Sequence, residues 1–448
     1  MRQSLRITDG PVGRNLFWFT VPIILTGLLQ FCYNMADVIV VGRFAGKEAL
    51  AAVGSTGSLS NLFINLFIGL SAGASVCAAQ YLGAGNKDAL DKAVHTAMGI
   101  ALFGGVLIAV VGVLFCRNLL IMMDVPANIL DETELYMTII FLGMPANLVY
   151  NFGAGILRAT GDSKRPLIFL TVSGILNVAL NLVLVIVFHL GAAGVGIATI
   201  VAQALSAVLV LYFLANKTQE IRFSFRKIRF SGKYMRKIFQ IGIPAGIQGT
   251  VFSISNVLVQ TAVNGFGDAV VAGNAAAGNI GDIVYIVMNA VHQTMITFVG
   301  QNVGAGNIKR VKKIILTGCL QVTIIGIFFS IILGAFGRPL LTLYVPGEEE
   351  VIAYGITRLW YLLPLYFTCG LMDVLVGAQR GMGTSLVPMF ASILGVCGIR
   401  IGWILVVFAS VHTLESLYLS YPVSWIVTAI IQAILCCWVY KKTKEQSN

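Results

Sequence analysis

Charged residues are scarce in this chain, since Asp, Glu, Lys and Arg together form 11% of its 448 residues. A soluble domain carries about 25% charged residues, so the shortage excludes a soluble enzyme and a disordered chain. Cysteine and histidine are also sparse, with eight and four residues. Most of the cysteines lie in apolar runs, where Cys behaves as a small hydrophobe, and neither residue type shows metal-ligand spacing. We therefore expect no metal site and no disulfide framework.

Long apolar runs take up most of the chain, and 57% of the residues are hydrophobic. A membrane-spanning helix needs about 20 mostly apolar residues, and twelve such runs leave only short loops between them. The sequence predicts an all-α, polytopic membrane protein with twelve transmembrane helices. The predicted spans cover residues 15–41, 50–81, 93–116, 133–157, 166–189, 192–215, 236–265, 270–299, 311–337, 352–379, 388–411 and 416–440.

Basic residues are concentrated in alternate loops, and loops rich in Lys and Arg stay in the cytoplasm. The N-terminus, the even-numbered loops and the C-terminus carry most of the 30 basic residues. We predict a multi-pass protein of the plasma (inner) membrane with both termini in the cytoplasm. The net charge of +11 then reflects topology rather than nucleic-acid binding. The densest basic loop contains Lys217, Arg222, Arg226, Lys227, Arg229, Lys233, Arg236 and Lys237.

The chain contains an internal repeat with a period of about half its length. The segment Gln80 to Asn86 recurs as Gln301 to Asn307, and Pro22 matches Pro244. Each half contributes six spans, so the two halves enter the membrane with the same polarity and form a parallel repeat. We predict two pseudo-symmetric six-helix bundles that alternate access to a cleft. The predicted domains are an N-lobe at 1–215, a basic cytoplasmic linker at 216–235 and a C-lobe at 236–448.

Three segments together resemble the multidrug and toxic compound extrusion (MATE) transporters, and among them the DinF-like branch. They are the first-helix segment Asn34 to Arg43, the loop Gln80 to Asn86, and the stretch Leu157 to Asp162. The resemblance extends over nearly the whole chain. It implies V-shaped N- and C-lobes and cation-coupled export of amphipathic, often cationic, compounds. It implies no cofactor beyond the coupling ion, H⁺ or Na⁺.

Asp37 is the clearest candidate for a coupling residue. An ionisable side chain at a helix centre costs about 2.5–3.5 kcal/mol on insertion scales. By helical spacing, Asp37 shares a stripe with Gln30 and Asn34. The carboxyl group is either a proton or cation site that changes state during transport, or a hydrogen-bonded structural group.

The resemblance assigns polar partners to this acid, at Asn177, Asn181 and Thr199. Asn177 and Asn181 are four residues apart and lie on one helix face. Relatives with a well-described sodium site in the N-lobe have a carboxylate where this chain has Asn181. A hard cation prefers charged oxygen ligands, so the amide weakens sodium binding and favours protons. The alternative is that the two Asn residues only join neighbouring helices by hydrogen bonds.

Asp373 is the second acid within a predicted span. Arg400 is a plausible salt-bridge partner, because a lone buried Arg is equally costly. The pair is either structural or part of the coupling mechanism. Neither residue is repeated in the other half, where Asn151 and Val178 occupy the matching positions, and this asymmetry favours a chemical role.

Several polar, aromatic and Met side chains are candidates for the substrate cavity. A mixed apolar and polar wall with few acids suits lipophilic cations, and Met adapts to varied shapes. The alternative for each residue is packing or lipid contact, and Asp282 is expected at a solvated outer helix end. The candidates are Gln30, Asn34, Asn147, Tyr150, Asn151, Gln203, Asn256, Gln260, Tyr285, Met288, Asn289 and Gln293.

These features predict an antiporter, with H⁺ more strongly favoured than Na⁺, that exports amphipathic or cationic drugs and toxic organic compounds as a functional monomer. The expected partners are small-molecule substrates and membrane lipid, without nucleic acid. The alternative is a flippase for a lipid-linked precursor in the same wider superfamily. An enzyme is disfavoured because no catalytic constellation recurs.

Overall fold

The structure is a computed structural model that describes residues 7–216 and 221–447, so Lys217 lies outside the described part. All twelve predicted spans are present as helices long and apolar enough to cross a membrane, and the described residues form no β-strand. The spans are α1 Val12–Ser55, α2 Phe63–Gly83, α3 Lys87–Met122, α4 Leu130–Ala159, α5 Lys164–Val187, α6 Gly191–Asn216, α7 Gly232–Asn264, α8 Asp268–Gly304, α9 Ile308–Ala335, α10 Glu349–Gly381, α11 Leu386–Phe408 and α12 Leu414–Gln446.

The outer faces of these helices expose large apolar side chains. Leu114 on α3 is 71% exposed, and Leu405 on α11 is 70% exposed. Water-soluble monomers rarely expose contiguous apolar surfaces of this kind. The exposed faces are therefore suited to lipid, and the prediction of an all-α polytopic membrane protein is confirmed.

The first predicted loop, at residues 42–49, is wrong. The α-helical part of α1 runs from Val12–Val40 and continues as a π-helical turn over Val41–Ala45. A short helix, Gly46–Ser55, follows directly. Gly46 has a φ of 91°, which a residue with a side chain rarely adopts. The chain thus changes direction at one glycine and needs no extended loop there.

The chain forms two packing units of similar extent. The first unit contains the described residues between 25 and 243, and the second contains residues 7–24 and 244–447. The first part of α1 therefore packs within the second unit, where the Phe19 and Phe298 rings lie 5.3 Å apart and the hydroxyls of Thr20 and Thr294 are 3.0 Å apart. The lobe boundaries at 215 and 236 stay a prediction, because they describe the sequence repeat rather than these units.

The predicted repeat is visible in the local backbone geometry of two turns. Gly85 and Gly306 occupy equivalent positions of the repeated segment and have φ values of 66° and 72°. A positive φ is easily accessible only to glycine. After the first of these turns, the Asn86 side chain accepts a hydrogen bond of 2.9 Å from the Ala89 amide and caps α3. These segments are tight turns between helices.

Helices α3 and α4 approach each other closely at Gly105. A methyl group added there would lie 2.5 Å from the Cα of Pro145 and 3.1 Å from its nitrogen. Both atoms belong to the backbone, so they cannot move aside as a side chain would. The neighbouring Gly104 is different, because an added methyl group would meet only a Leu148 methyl group, at 3.9 Å.

We expect Gly105→Ala to destabilise the first unit by about 1–3 kcal/mol, because overpacking forces the two helices apart. Gly104→Ala is the matched control and should leave stability unchanged or slightly raised, since Ala favours helix over Gly. Thermal unfolding of the detergent-purified protein, followed by fluorescence, measures both. Equal midpoints for the two variants would contradict the close backbone contact.

Candidate functional site

A chain of polar side chains links three helices in the first unit. Asn181 on α5 donates a hydrogen bond from Nδ2 to the Asp37 carboxylate on α1. The same amide group lies 3.3 Å from Asn177 Oδ1, and Asn177 Nδ2 lies 3.5 Å from the Thr199 hydroxyl on α6. Thr199 also interacts with Asp37. The structure thus brings together all four residues that the sequence predicts for the coupling site.

Asn181 has one polar atom that is not used in this chain of contacts. Its side chain is completely buried, and its Oδ1 makes no hydrogen bond within the described residues. A buried polar atom without a partner is costly, at about 1–3 kcal/mol, and such groups call for an explanation. The free carbonyl lies on the same amide that binds Asp37. It can therefore accept a hydrogen bond from a protonated carboxyl group or contribute one neutral ligand to a cation.

Local helix geometry positions this cluster. Asp37 lies one turn before the π-helical turn Val41–Ala45, and Asn181 lies directly before a second one, Leu182–Val187. π-helical turns are rare and are frequently found at functional sites. Residues of the two turns and of α6 also form a small apolar cluster. Its members include Val41, Val185 and Val195.

Tyr136 on α4 is a neighbour of the cluster that the sequence analysis missed. It packs against the same apolar cluster and interacts electrostatically with Asp37. Its position brings a fourth helix to the acid. The sequence analysis did not single it out, although its spacing of eleven residues from Asn147 places both side chains on one face of α4.

The other candidates in the first unit are arranged differently. Asn151 donates from Nδ2 to Asn147 Oδ1 at 2.9 Å, and the same Nδ2 donates to the Asn147 backbone oxygen at 2.9 Å. The Tyr150 hydroxyl donates to the backbone oxygen of Pro166 at 3.3 Å. Gln30 and Asn34 are exposed, and Gln203 is half-buried. Their role in substrate binding stays a prediction, and the exposed amides of α1 are the most accessible of the set.

A second buried polar cluster lies in the second unit, around Arg380 at the end of α10. Its Nη2 donates to Gln248 Oε1 at 2.9 Å, and its Nη1 lies 3.4 Å from His292 Nε2. His292 Nδ1 is 2.6 Å from the backbone oxygen of Asp373. Arg380 also interacts electrostatically with the Asp373 carboxylate. The charged partner of Asp373 is therefore a residue of its own helix.

The predicted salt bridge between Asp373 and Arg400 is not formed among the described residues. Arg400 instead donates from Nη1 to Asn256 Oδ1 at 2.9 Å and from Nε to the Ser424 hydroxyl at 3.2 Å. Its guanidinium group lies 4.2 Å from the ring centre of Tyr421. Arg400 thus points toward α7 and α12, where amide, hydroxyl and aromatic groups replace a carboxylate as its partners.

This geometry predicts the outcome of two double-mutant cycles. Arg400→Lys should destabilise the protein, because Lys lacks the planar group that stacks on Tyr421 and reaches two acceptors. Its coupling energy with Asn256→Ala should be about 1–3 kcal/mol, and with Asp373→Asn at most about 0.5 kcal/mol. Unfolding in mixed micelles with increasing dodecyl sulfate measures both. A strong coupling between Arg400 and Asp373 would contradict this geometry and support the predicted ion pair.

The predicted polar face of α8 divides into two parts. Gln293 donates from Nε2 to Asn289 Oδ1 at 2.9 Å. Tyr285 interacts with Asn289 and also electrostatically with Asp373, so these residues lie near the second acid. Met288 does not belong with them. It is fully buried in the hydrophobic core of the second unit, and its prediction as a substrate-cavity residue is wrong, because its side chain fills the space beside Gly326 and Gly370.

The candidates on α7 make hydrogen bonds within the second unit. Asn256 is exposed and accepts from Arg400, as described above. Gln260 accepts from Asn274 Nδ2 at 2.8 Å and donates to Asn264 Oδ1 at 2.9 Å. Gln260 therefore joins the end of α7 to the beginning of α8, which is consistent with a structural role.

Asp282 is exposed, which agrees with the expectation of a solvated position. It lines a small, open cleft together with Arg358 and Tyr366, and it interacts electrostatically with Arg358. Arg358 also donates to the backbone oxygen of Asn274.

No group of three or more His, Cys, Asp or Glu side chains in residues 7–216 and 221–447 could hold a metal ion. All eight cysteines are free thiols. The twelve spans, with Asp37 and Asp373 inside them, are those of a polytopic membrane transporter, because intramembrane ionisable groups characterise ion and substrate pathways.

Comparison with known proteins identifies the family. The sequence profile of the MatE family matches twice, at residues 22–183 and 244–405. The two matches begin at Pro22 and Pro244, which are the prolines of the internal repeat. The chain therefore belongs to the MatE (MATE) family of membrane transporters and is not an enzyme.

Individual relatives cover nearly the whole chain. The Probable multidrug resistance protein YoeA of Bacillus subtilis (strain 168) is 28% identical over 440 residues, which are 96% of this chain and 95% of YoeA. The FAD transporter of Shewanella oneidensis is 22% identical and covers 99% of this chain and 98% of its own. A crystal structure of MATE in complex with MaL6 has a TM-score of 0.93 at 20% identity, with 99% and 100% of the two chains covered.

Proposed function

We propose that this protein is a proton-coupled antiporter that exports amphipathic or cationic organic compounds. The observation that carries the proposal is the contact between the Asp37 carboxylate and the Asn181 amide. The cluster contains one carboxyl group, which neutral amide and hydroxyl groups surround. One titratable group suits one proton, whereas a hard cation prefers several charged oxygen ligands.

An amide is a suitable partner for a carboxyl group that gains and loses a proton. Asn181 can donate from Nδ2 to the carboxylate, and its Oδ1 can accept from the protonated acid. Turning the Asn181 amide group by half a rotation exchanges these two hydrogen-bonding arrangements. The unused Oδ1 is the atom that this second arrangement requires, so the cluster can satisfy both protonation states.

Coupling requires that the proton and the substrate favour different conformations of the transporter, because a ligand shifts an equilibrium only by its differential affinity for the two states. Protonation of Asp37 removes a charge from the first unit and changes its hydrogen bonds to α5. We infer that this change favours the substrate-releasing conformation and that deprotonation restores the other one.

The substrate class rests on the family and on the relatives. YoeA is named as a multidrug resistance protein, which supports export of foreign amphipathic compounds. The FAD transporter shares this length and fold, so a narrower natural substrate fits the same architecture. The flippase alternative is not favoured. We further propose that the protein works as a monomer in the plasma membrane, with both termini in the cytoplasm and lipid as its surroundings.

The decisive experiment measures efflux of a fluorescent lipophilic cation, such as ethidium, from proteoliposomes. A proton gradient and a sodium gradient are imposed separately on the wild-type protein. We expect efflux with the proton gradient and none with sodium. Efflux with sodium alone would contradict proton coupling, and no efflux with either gradient would contradict the substrate class.

A further inference from the structure

The basic loop between the two sequence halves is fixed to the first unit. We use the name strap for its residues 221–230. Ile221 and Phe223 are 2% and 5% exposed, and the Phe223 amide donates to the Leu214 oxygen at 3.1 Å. Ile228 and Phe230 pack against Gly99 of α3. The buried side chains of Ile221 and Phe223 therefore anchor the strap, whereas Phe230 contacts Gly99 through one edge of its ring.

Polar contacts with α3 hold the strap in the same place. The Ser224 amide donates to His95 Nε2 at 3.1 Å, and the Thr96 hydroxyl donates to the Arg229 backbone oxygen at 3.1 Å. The His95 ring stacks on Phe223, with 5.4 Å between the ring centres. Backbone groups at two points of the strap are thus bonded to one helix, which fixes the direction of the side chains between them.

The outer side of the strap combines positive charge with exposed aromatic rings. Arg222, Arg226 and Arg229 are exposed, while Phe225 and Phe230 are 60% and 52% exposed. Among the described residues, the ion pairs of the strap are limited to a contact of 3.9 Å between Lys227 and Asp91. Most of the positive charge is therefore not neutralised by the protein.

The position of Phe230 relates this surface to the bilayer. Its ring lies 5.3 Å from that of Phe103 on α3, and Phe103 is 56% exposed on a membrane-spanning helix. The exposed rings thus continue the lipid-facing surface of α3 up to the strap. Basic residues beside exposed aromatic rings are typical of segments that lie on an anionic membrane surface.

We propose that the strap binds the phosphate headgroups of anionic phospholipids in the leaflet that faces it. Its arginines contact the lipid phosphates through charge-assisted hydrogen bonds, and Phe225 and Phe230 enter the interfacial region. The inference does not depend on the proposed transport function, because lipid binding can be measured without a gradient or an exported compound.

The test titrates dioctanoyl phosphatidylglycerol onto the detergent-purified full-length protein, with bound lipid counted by native mass spectrometry. Dioctanoyl phosphatidylcholine is the uncharged comparison. We expect the phosphatidylglycerol affinity of the double variant Arg226→Gln, Arg229→Gln to fall about 30-fold, which corresponds to about 1 kcal/mol for each basic residue. Affinity for phosphatidylcholine should stay unchanged.

The matched control is Lys312→Gln, Lys313→Gln, which removes the same charge from two exposed positions of α9. It should retain the wild-type affinity. An equal loss in this control, or equal wild-type affinity for the two lipids, would overturn the proposal. Competition by glycerol 3-phosphate at the lipid concentration would also overturn it, because the site would then belong to a free phosphate. Phe225→Ser should weaken lipid binding without affecting the thermal midpoint.

Discussion

Replacing Asp37 with Asn is expected to reduce proton-driven efflux to the leak rate of protein-free liposomes. The variant keeps the size of the side chain and a hydrogen-bonding group beside Asn181, but it cannot gain or lose a proton. The variant can therefore no longer exchange a proton for the substrate that it binds. Initial efflux rates under an imposed proton gradient measure the effect.

The control for Asp37→Asn is Asp268→Asn, which removes an exposed carboxylate at the beginning of α8. It should export at the wild-type rate. Binding of the fluorescent cation to the Asp37→Asn protein, measured by anisotropy, should persist, since the change removes coupling rather than the fold. Proton-driven efflux by Asp37→Asn at the wild-type rate would exclude Asp37 as the coupling group.

Replacing Asn181 with Asp is expected to make the transporter respond to sodium. The variant has two carboxylates at hydrogen-bonding distance, and two like charges this close cannot both be ionised without a cation between them. Na⁺ would then gain a second charged oxygen ligand in addition to Thr199 and Asn177. We expect sodium-driven efflux and a rise in the thermal midpoint in NaCl compared with choline chloride.

Ligand binding to the folded state stabilises it by about 2.7 kcal/mol when the ligand concentration is 100 times its Kd, so the sodium effect is measurable. Asn151→Asp is the matched control, because it introduces an acid in the same unit outside the cluster. The control should show no specific response to sodium. If Asn181→Asp also shows none, the identity of this residue does not decide the coupling ion.

The sequence was sufficient to predict the twelve spans and the first polar cluster. The length of each apolar run is almost sufficient to predict a span, because few backbone arrangements other than a helix are possible in lipid. Asp37, Asn177, Asn181 and Thr199 could be grouped by helical spacing and by the resemblance to the family. The break between the first two spans was wrong because the π-helical turn and Gly46 make the turn without a loop.

The second cluster was predicted less well. Arg380 has an equivalent in the other half, Arg158, and the sequence analysis singled out neither residue, so the contact with His292 was not predicted. The partner of His292 is a backbone oxygen, which no residue pattern reveals. Asp373 and Arg400 were paired by charge alone, but the direction of Arg400 depends on the packing of α7, α11 and α12. Met288 shares a helical face with Tyr285 and yet lies on its core side.

The early part of α1 has a consequence for how the protein is made. Residues 7–24 leave the ribosome before any other described segment, but the residues they pack against lie between 244 and 447. The contacts of Phe19 with Phe298 and of Thr20 with Thr294 can form only after α8 has been synthesised. During synthesis this stretch is held only by the bilayer, while the first unit can assemble from the rest of α1 onward. The second unit can therefore be completed only after α8 has been made, and a chain that stops after α6 lacks the residues against which residues 7–24 pack.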